Sequence, residues 1–180
     1  MKTLGVAVFL VSVLAGCQSS VGVRTEAGGS FVQMQGGTLV LQQALKVPAG
    51  KARIYLQDGI AGSGFNSYKP HCALEVRRVD HDGFTIEPDT FVITKVQSSV
   101  QEVVQRQPIV VASLVAMGGM DGGGGSNSYY DGYHFWLASD AQPDVRRMSC
   151  FGVYAVPADL YPPTIDEIRS ALGEIAEIRR

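Results

Sequence analysis

Cysteine and histidine are the residue types best suited to chemistry in this 180-residue chain, which has three of each: Cys17, Cys72, Cys150, His71, His81 and His134. A zinc site needs three or four converging ligands, commonly as close pairs on a shared turn or helix. The chain has no C-x-x-C or H-x-x-x-H spacing, and neighbours such as His71 and Cys72 point to opposite faces of a strand. The sequence therefore predicts no metal site.

The sequence has no motif for nucleophilic catalysis either. The chain has no G-x-S-x-G, and Gly62-Ser63-Gly64 lies in a predicted loop with no helix after it. The glycine-rich segment 118–125 lacks the Lys-Ser/Thr pair of a phosphate-binding loop, so it is interpreted as a long hairpin loop or as a loop that folds onto a partner. Glu75, Asp89 and Asp131 are carboxylates without a recognisable partner. We therefore expect no enzyme and no cofactor.

The first 17 residues have the pattern of a secretory signal peptide. Lys2 precedes an apolar run over residues 4–15, which ends at Gly16-Cys17. As a helix the run would cover about 18 Å, whereas the hydrocarbon core of a bilayer is about 30 Å thick. The run is therefore too short to serve as a stable membrane span.

The end of this segment resembles the lipobox of bacterial lipoproteins: Leu14-Ala15-Gly16-Cys17 is an apolar residue, two small residues and a cysteine. The resemblance implies diacylglycerol on the Cys17 thiol, removal of residues 1–16, and acylation of the new amino group, for example with palmitate. Gln18 stands where an Asp would mark inner-membrane retention, so the resemblance implies an outer-membrane lipoprotein facing the periplasm; the inner membrane and the cell surface are the alternatives. The alternative is an ordinary signal peptide that ends in cysteine.

The composition limits the functions and the type of fold that the mature chain can have. Lys and Arg number 15 against 17 Asp and Glu, a net charge of −2, so no basic excess exists to bind nucleic acid. A 46% hydrophobic content is typical of a globular core. We expect residues 17–37, rich in Gly, Ser and Gln, to form a flexible tether, and residues 38–180 to form a single β-rich domain.

The domain is predicted to be mainly β, an antiparallel β-sandwich or a barrel-like fold with one C-terminal helix. Residues 96–107 fit a helix or a strand, and their valines favour a strand. A capping box at Thr164 and Glu167 and an apolar stripe through Ile175 predict a helix over about 164–179, which packs on the sheet or binds a partner. The predicted strands lie in residues 39–47, 52–56, 72–76, 91–96, 109–117, 129–138 and 145–156.

Cys72 and Cys150 remain once Cys17 carries lipid. Each lies on the apolar face of a predicted strand, and export places both in an oxidising compartment. We predict a disulfide between them; the alternative is two buried free thiols. The neighbouring pairs Arg77-Arg78 and Arg146-Arg147 are interpreted as solvated, with local carboxylate partners such as Glu75, or as a basic patch.

The aromatic segment 129–136 holds the candidate binding residues. Alternation places Tyr133 and Phe135 on one face and Tyr130, His134 and Trp136 on the other. The second face is either a further buried layer or an exposed aromatic surface for a glycan or a protein. We expect a membrane-anchored structural or protein-interaction component of the bacterial envelope, with another envelope protein as partner. The alternative is a lipoprotein that binds a small molecule, glycan or lipid.

Overall fold

The computed structural model describes residues 20–26, 29–103 and 128–180. Within these ranges the chain is mainly β with one short helix, as predicted. The predictions for residues 1–16, Cys17, 109–117 and 118–125 lie outside the described residues. The elements are β1 Val23–Arg24, β2 Phe31–Val32, β3 Thr38–Leu41, β4 Leu45–Val47, β5 Arg53–Gln57, β6 Ile60–Gly62, β7 His71–Val76, β8 Phe84–Ile86, β9 Asp89–Val103, β10 Ser128–Ala138, β11 Val145–Phe151, a 3₁₀ turn Pro157–Asp159, α1 Ile165–Leu172 and β12 Ala176–Arg179.

Eight of these strands form one curled antiparallel sheet in the order β12-β3-β9-β10-β11-β7-β5-β6. Two short ribbons, β1–β2 and β4–β8, stand beside it. Alternation buries one face of the large sheet, with Leu56, Leu74 and Phe135 fully inaccessible to solvent. Helix α1 contacts β5 and β7, and its apolar side chains, Ile168 and Leu172 among them, join the same core.

The helix is shorter than predicted. It begins after the capping box, in which Thr164 Oγ1 accepts from Glu167 N at 3.2 Å and Thr164 N donates to Glu167 Oε2 at 2.7 Å. It ends at Gly173, whose φ of 55° suits glycine. Ala176 and Ile178 are then buried as alternate residues of β12, not as a helical stripe. The prediction of a helix to about 179 is therefore wrong.

The described part of the predicted tether, within residues 17–37, is packed against the domain. Val23 is fully buried, Met34 is 2% exposed, and Val21 N donates to Val96 O at 3.1 Å. Glycine turns, such as that at Gly36 with φ 83°, let the segment fold back on itself. The glycine content therefore serves turns, and the expectation of a flexible tether is wrong for these residues.

Several strand boundaries also differ from the prediction. The predicted strand 39–47 is divided into β3, which pairs with β9, and β4, which pairs with β8. The predicted strand 145–156 ends at Phe151. The preference for a strand after Val96 is confirmed as far as Val103, because β9 is continuous.

Gly132 holds β10 close to the partner strand β11. A Cβ there would lie 2.0 Å from the Cys150 carbonyl oxygen and 2.8 Å from Phe151 Cα, both rigid backbone atoms. We expect Gly132→Ala to lower the free energy of unfolding by about 2–3 kcal/mol, the range for an overpacked interior. Thermal or urea unfolding measures it. Gly64→Ala, where a Cβ meets nothing within 4 Å, is the matched control, and an equal loss in both variants would contradict the role of Gly132.

Candidate functional site

The candidate binding residues Tyr130, His134 and Trp136 share the face of the large sheet that points away from the core, which we call the outer face. Tyr133, Phe135 and Leu137 belong to the core cluster on the opposite face, as alternation predicts. The neighbouring strands add polar and aromatic groups to the outer face: Arg53 and Tyr55 from β5, His71 and Glu75 from β7, and Arg147, Ser149 and Phe151 from β11. Five strands of the sheet therefore meet in one continuous surface, since β9 adds Gln97 and Gln101.

Two of the three candidate residues are buried. Tyr130 and His134 are each 9% exposed, whereas Trp136 is half-buried. Phe65, from the loop after β6, stacks on His71 at a centroid distance of 3.7 Å and meets the edge of the Tyr130 ring at 6.0 Å. This part of the outer face is a second packed layer, whereas Trp136 is more open to solvent.

A buried polar network lies between these regions. Arg147 Nε donates to Glu75 Oε2 at 2.8 Å, and Ser149 Oγ donates to Glu75 Oε1 at 2.9 Å. His134 Nδ1 lies 2.8 Å from the same serine oxygen. Burial acts to raise the pKa of Glu75, but the hydrogen bonds from Arg147 and Ser149 outweigh burial and leave that pKa below its usual value. The carboxylate is thus ionised and held by two donors.

The order of the groups in this network decides what chemistry it can do. In a catalytic triad the histidine lies between the serine and the acid. Here Ser149 lies between His134 and Glu75: its hydroxyl hydrogen is given to the carboxylate, so His134 Nδ1–H donates to the serine oxygen. Burial, together with the nearby Arg147 charge, lowers the pKa of His134 to about 4. The arrangement compensates a buried charge and does not activate the serine as a nucleophile.

Trp136 is flanked by two arginines. The guanidinium carbons of Arg146 and Arg147 lie 5.2 and 5.4 Å from the indole centroid, within cation–π range. The indole Nε1 donates to Gln97 Oε1. Arg147 is also the partner of Glu75, the carboxylate named from the sequence, while Arg146 is exposed. This corner of the outer face joins an aromatic ring, a cation and hydrogen-bonding groups at the surface.

The two cysteines of the domain lie on the core side, directly opposite each other on β7 and β11. The sulfur atoms of Cys72 and Cys150 are 2.08 Å apart, the distance of a disulfide, and their Cα atoms are 4.0 Å apart. Both residues are fully buried. Cys72 and Cys150 are therefore paired in the structure and are not two free thiols.

A small cavity opens beside His71 on the outer face, with Arg53, Tyr130 and Ser149 in its lining and a volume of about 50 Å³. His71 Nδ1 is buried there without a hydrogen-bond partner among the described residues. Ligand pockets are usually about 300–1,000 Å³. The cavity is therefore of a size for water or a few atoms.

Two further properties concern the described ranges as a whole. They contain no group of three or more His, Cys, Asp or Glu side chains placed to hold a metal ion. No helix in them has the length and apolar character needed to cross a bilayer.

No protein-family model matches the chain, and neither a curated protein nor a solved structure matches it. The proposed function therefore rests on the side chains of the outer face and on the sequence of residues 1–17.

Burial of His71 makes a pH dependence of stability predictable. Desolvation lowers its pKa to about 4 against the ordinary 6.5, and a hydrogen bond with the Lys69 backbone only partly opposes this. The unfolded chain binds the proton more readily, so the contribution of His71 is lost as pH falls from about 6.5 to 4, on the order of 2 kcal/mol by about pH 4.5. Urea unfolding at several pH values measures the slope.

The variant His71→Phe keeps an aromatic ring against Phe65 and removes the titrating group, so the slope between pH 6.5 and 4 should become shallower. His81→Phe, at an exposed position, is the control and should leave the slope unchanged. An unchanged slope in His71→Phe would show that His71 does not carry the effect.

Proposed function

We propose that this chain is an outer-membrane lipoprotein that faces the periplasm and is anchored through lipid on Cys17 after removal of residues 1–16. It acts as a structural or protein-interaction component of the bacterial envelope, with another envelope protein as its partner. The proposal includes no enzymatic activity, no nucleic acid, no metal and no cofactor apart from the covalent lipid. The lipobox-like Leu14-Ala15-Gly16-Cys17 supports the anchor.

The observation that carries the interaction role is the corner formed by Trp136, Arg146 and Arg147. Tryptophan and arginine are the residue types most enriched among interface residues that dominate binding energy. Arg146 is exposed and Trp136 half-buried, while the disulfide-linked strands β7 and β11 and the Glu75 network hold the surface beneath them rigid. A rigid aromatic and cationic corner suits a protein surface that carries carboxylates.

A crosslinking experiment tests this role. The lipidated protein carries a photocrosslinker at Gln97, the hydrogen-bond partner of Trp136, and is irradiated in native membranes. A defined envelope protein should be recovered, and Arg146→Glu should abolish its recovery. Lys46→Glu, an exposed cation on β4, should leave it unchanged. Recovery of no envelope protein above a Cys17→Ala control, or equal recovery with Arg146→Glu, would overturn the role of this corner.

A second candidate is binding of a small anionic ligand or glycan. It is favoured by an open depression of about 360 Å³ whose lining includes Lys51, Arg53, Tyr55 and Ser63. Two cations beside an aromatic ring suit a sugar or small molecule that carries an acidic group. Titration calorimetry with anionic oligosaccharides tests this candidate: heat that is lost in Arg53→Ala would support it, and no heat with the intact protein would exclude that ligand class.

A further inference from the structure

The N-terminal segment is fixed to the domain almost at once after the proposed lipidation site. Val96 N donates to Ser20 Oγ at 3.2 Å, Val21 N donates to Val96 O at 3.1 Å, and Val23 is fully buried. Only Gln18 and Ser19 separate Cys17 from Ser20. Three residue steps cover at most about 11 Å of extended chain. A lipid on Cys17 would therefore hold Ser20 and its neighbours within about 11 Å of the membrane surface.

Exposed apolar side chains surround this attachment point. We define the N-terminal apolar patch by four residues, with exposed fractions of 36% for Val21, 61% for Phe31, 59% for Val100 and 60% for Tyr161. Exposed apolar residues that are scattered singly need no explanation, whereas grouped ones mark an interaction surface.

Neighbouring residues connect the members of this patch to the N-terminal segment. A Cβ at Gly22, next to Val21, would lie 2.8 Å from Phe31 Cβ. Phe31 pairs across the β1–β2 ribbon with Arg24, whose guanidinium carbon lies 5.5 Å from the Tyr161 ring centroid. Val100 lies further along β9 than Val96, whose carbonyl oxygen accepts from Val21 N. Phe31 and Tyr161 therefore both lie next to Arg24, on the segment that leads back to Cys17, and Val21 and Val100 are exposed near the bond of that segment to β9.

We propose that the N-terminal apolar patch lies directly against the lipid surface, so that the domain is docked flush on the membrane in one orientation. This inference rests on the lipidation of Cys17 in the proposed function. Tyrosine suits the boundary between headgroups and acyl chains, where its apolar ring and its polar tip are both satisfied, and phenylalanine suits the acyl-chain side of that boundary. The Arg24 guanidinium lies beside the Tyr161 ring, and Arg24 is half-buried, with its Nε inaccessible to solvent.

Fluorescence quenching in vesicles tests the docking. Trp136 is the single tryptophan of the chain, so Trp136→Phe gives a background in which Tyr161→Trp reports on the patch. The control reporter is Val79→Trp in the same background. Val79 is 58% exposed and follows β7 at the end of the sheet opposite Val100. The full lipidated protein is placed in vesicles of phosphatidylethanolamine and phosphatidylglycerol with brominated acyl chains.

We expect strong quenching and a blue-shifted emission at position 161, and neither at position 79. Equal quenching at the two positions, or none at either, would overturn the docking even if mass spectrometry shows the lipid on Cys17. If mass spectrometry finds Cys17 unmodified in protein from native membranes, the anchor itself fails, and with it the docking. The two failures are thus distinguishable, and unfolding curves show that each reporter protein is folded.

Discussion

Replacing Arg147 with methionine is expected to lower the free energy of unfolding by about 3–5 kcal/mol, the usual cost of leaving a buried charge without its partner. Arg147 Nε is 2.8 Å from Glu75 Oε2, and the Glu75 side chain is only 7% exposed. Methionine keeps much of the apolar stem but none of the charge, so the loss reports on the carboxylate left behind. Urea unfolding at neutral pH measures it.

Two comparisons make this prediction specific. The double variant Glu75→Gln/Arg147→Met should recover most of the loss, because a neutral amide still accepts from Ser149 and no charge remains unpaired. Arg169→Met breaks the exposed pair with Asp166, whose side chains are 56% and 47% exposed, and should cost less than about 1 kcal/mol. An equal cost for Arg147→Met and Arg169→Met would contradict the role of the network.

The pH dependence of Arg147→Met provides an independent check. Without the guanidinium, burial dominates and should raise the pKa of Glu75 in the folded state above its value in the unfolded state. The folded state then binds the proton more readily, so the variant should gain stability as pH falls toward the glutamate range and lose it as pH rises through the raised pKa. The parent protein should show no such gain from Glu75.

Removal of the Cys72–Cys150 disulfide is expected to cause the second large loss in the free energy of unfolding. The bond closes a sequence separation of 78, and the chain-entropy model gives about 4.5 kcal/mol for a loop of that length. Either single alanine substitution breaks the same bond, so Cys72→Ala and the double variant should lose similar amounts. Unfolding of each, with and without reductant, measures the loss.

Cys17→Ser is the control for the disulfide, because it changes a cysteine outside the pair and should leave the free energy of unfolding of the domain unchanged. Alkylation followed by intact-mass measurement decides the state of the pair in the parent. Labelling of both Cys72 and Cys150 without reductant would show that the bond does not form.

Much of the sheet was predictable because short-range patterns dominate its strands. Alternation over 129–138 placed Tyr133 and Phe135 in the core and Tyr130, His134 and Trp136 on the opposite face, and β10 has that arrangement. Alternation likewise placed Cys72 and Cys150 on apolar faces. That they are directly opposite depends on strand order, which no local pattern contains.

The errors have a common physical cause, which is long-range packing that overrides local composition. Glycine and glutamine content over residues 17–37 is typical of a tether, yet Val23 and Met34 are buried by strands far along the chain. Ile175 and Ala176 continue a helical stripe, but Gly173 ends the helix, and pairing with β3 turns residues 176–179 into a strand.

The candidate site was only partly visible in the sequence. Alternation from Cys72 already implied that His71 and Glu75 share the face opposite the core, which would have joined them to His134. Alternation also assigns Ser149, two residues after Arg147, to this face. Nothing in the sequence assigns Phe65 to it, because a loop residue that folds back over a sheet has no periodicity to mark it.

The pairing of β12 with β3 has a consequence for the time course of folding. β3 ends at Leu41, and its partner begins at Ala176, so the edge of β3 that pairs with β12 stays uncovered until residues 176–179 have been synthesised. Pairings of such large sequence separation are slow to form, and a waiting strand with free amide groups is an aggregation hazard. Shortening the chain before Ala176 should therefore leave this edge of β3 uncovered and make refolding more prone to aggregation.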